Sequence, residues 1–356
     1  LLIARPLGAV MFFLAKGSPW IAEYIFARGI FKVYGEVMSR ISGIIPFSLA
    51  EWLVIGVPFG ILAVIVYGVF GIILKKGRRG LAALMLIRRL LIPGGIIFLW
   101  FMIGAGTNYY RYEFASFSGL NVEDSTTEEL YGLCINLAER ARLARTEATM
   151  DETVPFVSAM SDRARVKAAV SAMEKLSGDF DVLKGYYPPA KSVFFSKAMS
   201  EFNITGVYFP WTVEANVNTD VPDYSIGVTI CHELSHLRGF MREDEANFIG
   251  YLACAGSDNA ELRYSGYMLA LIYAGNRLYG DSRELYFELY STYSDGMRTD
   301  LADNNAYWDR FKDTVLSEAG EKMNDTYLKA NNQTDGTRSY GRMVDLLLAE
   351  YKQKNH

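Results

Sequence analysis

The stretch CHELSHLRGFMREDEANFIGYL, residues 231–252, determines how we interpret the whole chain. His232 and His236 are four residues apart, so on a helix both imidazoles lie on one face. Gly239 can end this helix by adopting a left-handed backbone conformation. A second helix can then begin near Arg242. The stretch therefore predicts two helices joined by a short turn, with two histidines on one face of the first helix.

The two histidines and the glutamate between them form the pattern His-Glu-x-x-His. Two imidazole nitrogens on one helix face can bind the same zinc ion, and Glu233 is held beside it, where it can remove a proton from a bound water. The chain has only three histidines, and the third is the terminal His356. The alternative is that His232 and His236 are ordinary histidines of a helix. We predict a zinc site with Glu233 as its general base.

A catalytic zinc ion needs three protein ligands and one position left for water. On the second helix, Glu243, Ala246, Asn247 and Gly250 share a face. We therefore predict Glu243 as the third ligand, with Glu245 as the alternative. Asn247, one turn after Glu243, can orient a ligand histidine through a hydrogen bond. Ala246 leaves room for the two helices to approach each other.

HELSH followed by Glu-x-x-Ala-Asn resembles the gluzincin metallopeptidases, which pair His-Glu-x-x-His with a glutamate on a following helix. The resemblance implies zinc at His232, His236 and Glu243, with Glu233 as the general base. Only seven positions separate His236 from Glu243, whereas gluzincins usually have a much longer insertion there.

The position of Gly239 instead resembles the turn of the metzincins. A metzincin would have its third histidine at the position of Arg242, so the site combines features of the two groups.

Three features together resemble a bacterial family of membrane proteins of unknown function, DUF3810. These features are NYYR at residues 108–111, GVYFPWTVEANVNTDVPD at 206–223, and the stretch 231–252. The resemblance covers most of the chain and implies a membrane anchor, but the family supplies no activity.

The charge is divided unequally along the chain. Residues 1–107 carry eleven basic and three acidic side chains, a net charge of +8, which leaves −12 for residues 108–356. This division indicates a basic, apolar anchor followed by an acidic globular domain. It argues against a nucleic-acid-binding protein, whose binding domain should be basic. With 51% hydrophobic residues, the chain can bury a core and is not disordered.

Two uncharged runs, residues 52–74 and 90–110, are long enough to cross a bilayer. A shorter apolar run ends before Lys16 and is interpreted as the end of a first span, or alternatively as a signal-peptide remnant. We therefore predict a multi-pass membrane anchor over residues 1–110, with spans near 1–16, 52–74 and 90–110. Residues 75–89 contain six Lys or Arg and no acidic residue, which places this loop in the cytoplasm and the following domain outside it.

Residues 111–356 are predicted to form a mostly helical, zincin-like domain with a small β-sheet. Ser125 and Glu128 suggest a capping box, followed by a helix with Leu130, Leu133, Leu137 and Leu143 at helical spacing. Residues 204–218 are the best strand candidate, bent at Pro210. Metallopeptidases often hold an extended substrate against an edge strand, and either Gly206–Phe209 or Thr212–Val217 can supply that edge. A core hairpin is the alternative.

We predict a membrane-anchored zinc metallopeptidase that cleaves polypeptides outside the cytoplasm and whose partners are the lipid bilayer and its substrate. One alternative is a zinc-binding sensor or assembly protein that does not cleave and binds partners through residues 281–353. Another is a zinc hydrolase of a non-peptide amide bond. Tyr208, Tyr224, Arg238 and Arg242 are candidates to stabilise an oxyanion, and the sequence does not select among them.

Overall fold

The computed structural model describes residues 3–75, 77–333 and 342–355. The described chain is mostly helical with one small sheet, which confirms the predicted fold class. The helices are α1 Ala4–Gly17, α2 Lys32–Gly43, α3 Leu49–Leu74, α4 Arg79–Gly104, α5 Ala115–Ser118, α6 Thr127–Ala148, α7 Asp162–Asp179, α8 Ser196–Glu201, α9 Asp223–His236, α10 Glu243–Ala255, α11 Ala260–Asp281, α12 Arg283–Ser291, α13 Asp295–Asp309, α14 Val315–Ala330 and α15 Arg342–Asn355. A π-helix, Ile21–Phe31, precedes α2, and short 3₁₀ turns occupy Gly106–Tyr110 and Asp181–Leu183.

The chain forms two compact units. The first contains Leu1–Arg111 together with Phe209–Glu214, and the second contains Tyr112–Tyr208 and Ala215–His356. In the first unit, glycines allow helices to approach closely: a Cβ added at Gly8 would lie 2.8 Å from the Phe98 ring.

Two helices of the described chain, α3 and α4, are long and apolar enough to cross a membrane. The predicted span 52–74 corresponds to α3, whose first turn is capped by Ser48. The predicted span 90–110 is wrong in its limits, because α4 begins at Arg79 and ends at Gly104, and Gly106–Tyr110 is a separate 3₁₀ turn. Arginine is a good helix former, so the basic segment continues as helix instead of forming a loop.

The predicted first span, near residues 1–16, corresponds to α1, Ala4–Gly17. Residues 1 and 2 lie outside the described residues. α1 packs within the first unit, where Met11 and Ala15 are buried with Phe26 and Met102.

The sheet contains β1 Lys191–Ser192, β2 Gly206–Phe209 and β3 Glu214–Val217 in the order β1-β3-β2. β1 runs parallel to β3, and β2 and β3 are joined by a four-residue turn that contains Pro210. The predicted strand pair is therefore present. Of the two predicted edges, Gly206–Phe209 is at the edge, whereas β3 is the central strand.

The core of the second unit is formed by α6, α9, α10 and α11, which pack against one another. α9 is buried along most of its length. The capping box of α6 is present one residue later than predicted, between Thr126 and Glu129. Leu130, Leu133 and Leu137 are buried as predicted, but Leu143 is 53% exposed.

Candidate metal centre

The end of α9 and the start of α10 bring the predicted site residues together. α9 carries His232, Glu233 and His236 and ends at His236. Gly239 has a φ of +82°, a left-handed conformation that glycine adopts without strain, and it turns the chain toward α10. Glu243 is the first residue of α10. A Cβ at Gly250 would lie 3.1 Å from the backbone nitrogen of His232, so the absence of a side chain there lets the two helices approach.

Three donor atoms converge at this point. The Nε2 atoms of His232 and His236 are 3.2 Å apart. One carboxylate oxygen of Glu243 lies 3.2 Å from Nε2 of His232, and the other lies 3.9 Å from Nε2 of His236. Glu233 also lies within 4.8 Å of both histidines. Two carboxylates therefore flank the histidine pair, and Glu243 makes the closer contacts.

The other nitrogen of each imidazole is held by a hydrogen bond. Nδ1 of His232 lies 2.8 Å from Oδ1 of Asn247, the contact predicted from the sequence, and Nδ1 of His236 lies 2.7 Å from the carbonyl oxygen of Phe240. Asn247 in turn donates from its amide nitrogen to the hydroxyl of Tyr273 at 3.4 Å, which fixes its oxygen toward His232. Because both Nδ1 atoms donate, Nε2 is the atom that each histidine directs at the centre.

The electrostatics of the metal-free chain show a site that favours positive charge. Burial lowers the pKa of His232, but the hydrogen bond and charge of Glu243, with the charge of Glu233, outweigh it and raise this pKa to about 9. Burial and the charged His232 lower the pKa of His236 to about 4. Burial opposes the ionisation of Glu243, but its hydrogen bond to His232 and the charges of both histidines lower its pKa. His232 therefore keeps its proton at neutral pH, beside the ionised carboxylate of Glu243.

Glu233 is 4% exposed and lies against the edge strand β2. Burial raises its pKa to about 8, and the backbone amide of Tyr208 donates a hydrogen bond that favours the charged form. A Cβ at Gly206 would lie 2.4 Å from Oε1 of Glu233. Oε2 of Glu233 is buried without a hydrogen-bond partner among the described residues. Such an orphaned oxygen is expected of a group whose partner is a water or substrate atom.

Glu245, the alternative ligand, faces away from the histidines. Its carboxylate accepts the backbone amide of Phe114 at 2.6 Å and forms an ion pair with Arg242 at 3.1 Å. Burial raises its pKa, partly opposed by Arg242. Its contacts hold the segment around Phe114 to α10, so the structure favours Glu243 at the centre.

Three of the four oxyanion candidates have other contacts. Arg242 pairs with Glu113 and Glu245, Arg238 donates to the carbonyl of Tyr186, and the ring of Tyr224 packs against Tyr264. Only Tyr208 adjoins the centre, with its ring centroid 5.8 Å from that of His236.

The roles of Gly206, Tyr273 and Gln333 in the site do not follow from the sequence. The side-chain oxygen of Gln333 accepts the backbone amide of Glu243 at 3.3 Å. No local pattern points to any of these residues, because each lies far along the chain from the residue it supports.

The donor set fits a zinc ion. Ligand atoms about 2.0–2.1 Å from a tetrahedral ion lie about 3.3 Å from one another. The two Nε2 atoms are 3.2 Å apart, one Glu243 oxygen lies 3.2 Å from Nε2 of His232, and the other Glu243 oxygen lies 3.9 Å from Nε2 of His236. Two neutral imidazoles with Nδ1 bonded elsewhere would direct lone pairs at each other across 3.2 Å, an arrangement that a cation between them stabilises.

The family model described as "Protein of unknown function (DUF3810)" matches residues 26–348. The chain therefore belongs to the DUF3810 family. No curated protein and no solved structure matches it.

Proposed function

We propose that this DUF3810 protein is a membrane-anchored zinc metallopeptidase that hydrolyses polypeptides outside the cytoplasm. The observation that carries the proposal is the convergence of Nε2 of His232, Nε2 of His236 and the carboxylate of Glu243 within 3.2–3.9 Å of one another. Both imidazoles are oriented by a hydrogen bond of Nδ1, as in metal sites whose ligands are preorganised.

His232, His236 and Glu243 would hold the zinc ion, which supplies Lewis-acid polarisation of a carbonyl and a lowered pKa for water. Glu233 then has two tasks. Its orphaned Oε2 accepts a proton from the attacking water and passes it to the leaving amine. Its pKa of about 8 in the metal-free chain lies near neutral pH, a suitable range for a group that both takes and gives a proton. Its hydrogen bond from Tyr208 holds it in place.

The edge strand β2 supports a polypeptide substrate over a smaller amide. The amide of Asn218 donates to the carbonyl of Thr205 at 2.9 Å. Because backbone groups of an antiparallel strand point alternately to either side, Val207 is directed at β3, and Gly206 and Tyr208 are directed at the outer edge. No fourth strand pairs with this edge in the described part of the chain. The amide of Tyr208 donates to Glu233, and an extended peptide can add to the rest of such an edge by main-chain hydrogen bonds.

The membrane assignment rests on α3 and α4. The connection between them and the first turns of α4 carry Lys75, Arg78 and Arg79 without an acidic residue, which the positive-inside rule places in the cytoplasm. In this arrangement the chain leaves α4 on the opposite side, and the second unit faces away from the cytoplasm.

The test uses the full chain purified in detergent micelles. We expect about one zinc ion per chain by elemental analysis, lost in His236→Ala and retained in Glu233→Gln. We expect the zinc-loaded wild type to cleave unfolded casein and Glu233→Gln to be inactive.

Two results would contradict the proposal. Absence of zinc in the wild type would refute the metal centre. Zinc binding without cleavage of casein or a peptide library would instead support the non-cleaving sensor or a hydrolase of non-peptide amides.

A further inference from the structure

The tip of the β2–β3 hairpin is held by the membrane-anchoring unit. Residues Phe209–Glu214 belong to that unit. The hydroxyl of Tyr34 donates to the carbonyl oxygens of Pro210 and Trp211, at 2.8 and 3.0 Å. The indole nitrogen of Trp211 donates to the carbonyl of Ile97 at 3.1 Å. These bonds fix the backbone of the hairpin tip from two different helices.

Glu214 makes the most specific of these connections. Its side chain is buried, and its carboxylate accepts the backbone amides of Leu49 and Ala50, at 3.2 and 2.9 Å, and the hydroxyl of Thr212 at 2.7 Å. Leu49 and Ala50 are the first two residues of α3, whose free amides and macrodipole attract a negative charge. A carboxylate of the hairpin thus binds the start of a candidate membrane-spanning helix.

The same hairpin holds the proposed general base. Tyr208 is the last residue of β2 before the fixed tip, and its backbone amide donates to Glu233. Gly206, two residues earlier, lies directly against the Glu233 carboxylate. Since β2 has a strand neighbour on one side only, its position depends on β3 and on the tip.

We propose that Glu214 is a positioning residue for Glu233. By binding the first turn of α3 it fixes the hairpin tip, the tip fixes β2, and β2 fixes the carboxylate of Glu233 through the amide of Tyr208. The catalytic consequence rests on the proposed function, whereas the mechanical link does not. The bonds of Glu214 to the start of a candidate membrane-spanning helix thereby set the position of the base, so loss of these bonds alters catalysis without touching the proposed metal ligands.

The experiment compares Glu214→Ala and Glu214→Gln with Glu51→Ala in the full chain in detergent micelles. Glu51 lies in the same first turn of α3 and serves as the matched control. Three quantities are measured: hydrogen exchange of peptides covering residues 204–209, zinc content, and kcat and KM for casein. Tyr34→Phe removes one hydroxyl from the tip and provides a milder variant if Glu214→Ala does not fold.

We expect Glu214→Ala to accelerate exchange in β2 about tenfold and to lower kcat about tenfold or more, with one zinc ion per chain and KM unchanged. Glu214→Gln keeps one acceptor oxygen and should show a smaller effect, and Glu51→Ala should match the wild type. Unchanged exchange in β2, with acceleration confined to the start of α3, would overturn the proposal. If Glu214→Ala accelerates exchange in β2 but the wild type has no hydrolytic activity, the link between Glu214 and β2 is supported and the proposed peptidase activity is rejected.

Discussion

Replacing Gly206 by alanine tests whether the position of Glu233 determines activity. A Cβ at this position would lie 2.4 Å from Oε1 of Glu233 and 2.9 Å from both its Cγ and its Cδ. The φ of Gly206 lies outside the left-handed region, so alanine introduces no backbone strain. The only consequence of Gly206→Ala is therefore the collision with the Glu233 side chain.

The size of the effect follows from the distances. Atoms in ordinary contact are 3.4–4 Å apart, so the carboxylate or the strand must move by about 1 Å, and a displacement of that size costs about 100-fold in rate. Glu233 is 4% exposed, and its second carboxylate oxygen, Oε2, is also buried. General-base catalysis contributes about 10²–10⁴ in rate. We therefore expect kcat/KM of Gly206→Ala to fall about 100-fold.

The assay measures casein cleavage and zinc content on the same preparation of the full chain. Zinc content should stay at that of the wild type, because the added methyl group meets Glu233 and none of the three ligands. Gly280→Ala in α11 is the matched control, since a Cβ there meets nothing within 4 Å. Unchanged kcat/KM in Gly206→Ala with wild-type zinc content would refute the role of Glu233 as a placed base. Loss of zinc would show that the collision is transmitted to the ligands.

Four further results are expected. Asn247→Leu removes the acceptor of the His232 Nδ1–H and should weaken zinc affinity about 10–100-fold in a chelator competition, and unchanged affinity would contradict its orienting role. Glu245→Gln should lower the free energy of unfolding by about 1–3 kcal/mol in urea titrations without loss of zinc, whereas zinc loss would make Glu245 a ligand. Because the pKa of His232 is raised to about 9, its proton is present below that pH and must leave when metal binds. Calorimetry in buffers of different ionisation enthalpy should therefore detect proton release when zinc binds at pH 7. The apparent affinity for zinc should rise with pH and level off near 9. Absence of proton release at pH 7 would exclude this ionisation of His232. Gly250→Ala places a Cβ 3.1 Å from the backbone of His232. This substitution should destabilise the fold by about 1–3 kcal/mol and weaken zinc binding. Wild-type stability of the variant would show that α9 and α10 can separate without cost.

The placement of the candidate site residues relative to one another follows in part from local rules. Four-residue spacing puts His232 and His236 on one face of a helix, and a glycine ends that helix in the left-handed conformation. Asn247, one turn after Glu243, follows from the same periodicity. The edge strand was predicted only as one of two options, because which strand lies at an edge depends on pairing with β1, and nothing in residues 204–218 specifies that pairing.

The limits of α3 and α4, the two candidate membrane-spanning helices, could not be predicted from charge-free runs. A charge-free run shows which side chains are compatible with hydrocarbon. The ends of a helix depend instead on where the helical backbone hydrogen bonds stop. Arg88 and Arg89 interrupt the apolar pattern but lie inside α4. The contacts of Glu214 with Leu49 and Ala50 join residues about 165 positions apart, and no spacing rule relates positions so distant.

The first turn of α10 shows why only one of three consecutive carboxylates lies beside the two histidines of the candidate metal centre. Successive residues of a helix point about 100° apart, so Glu243, Asp244 and Glu245 cannot face the same partner. Glu243 faces the histidines, Asp244 pairs with Arg342 at 2.9 Å, and Glu245 accepts the amide of Phe114. The short connection from α9 allows the third ligand to come from the first residue of α10, where the helix dipole also stabilises a carboxylate. Conversion of each to its amide should therefore give three different outcomes: loss of zinc at Glu243, and reduced stability with zinc retained at Asp244 and Glu245. Zinc loss at either of the last two would show that the turn places α10 differently from the arrangement described.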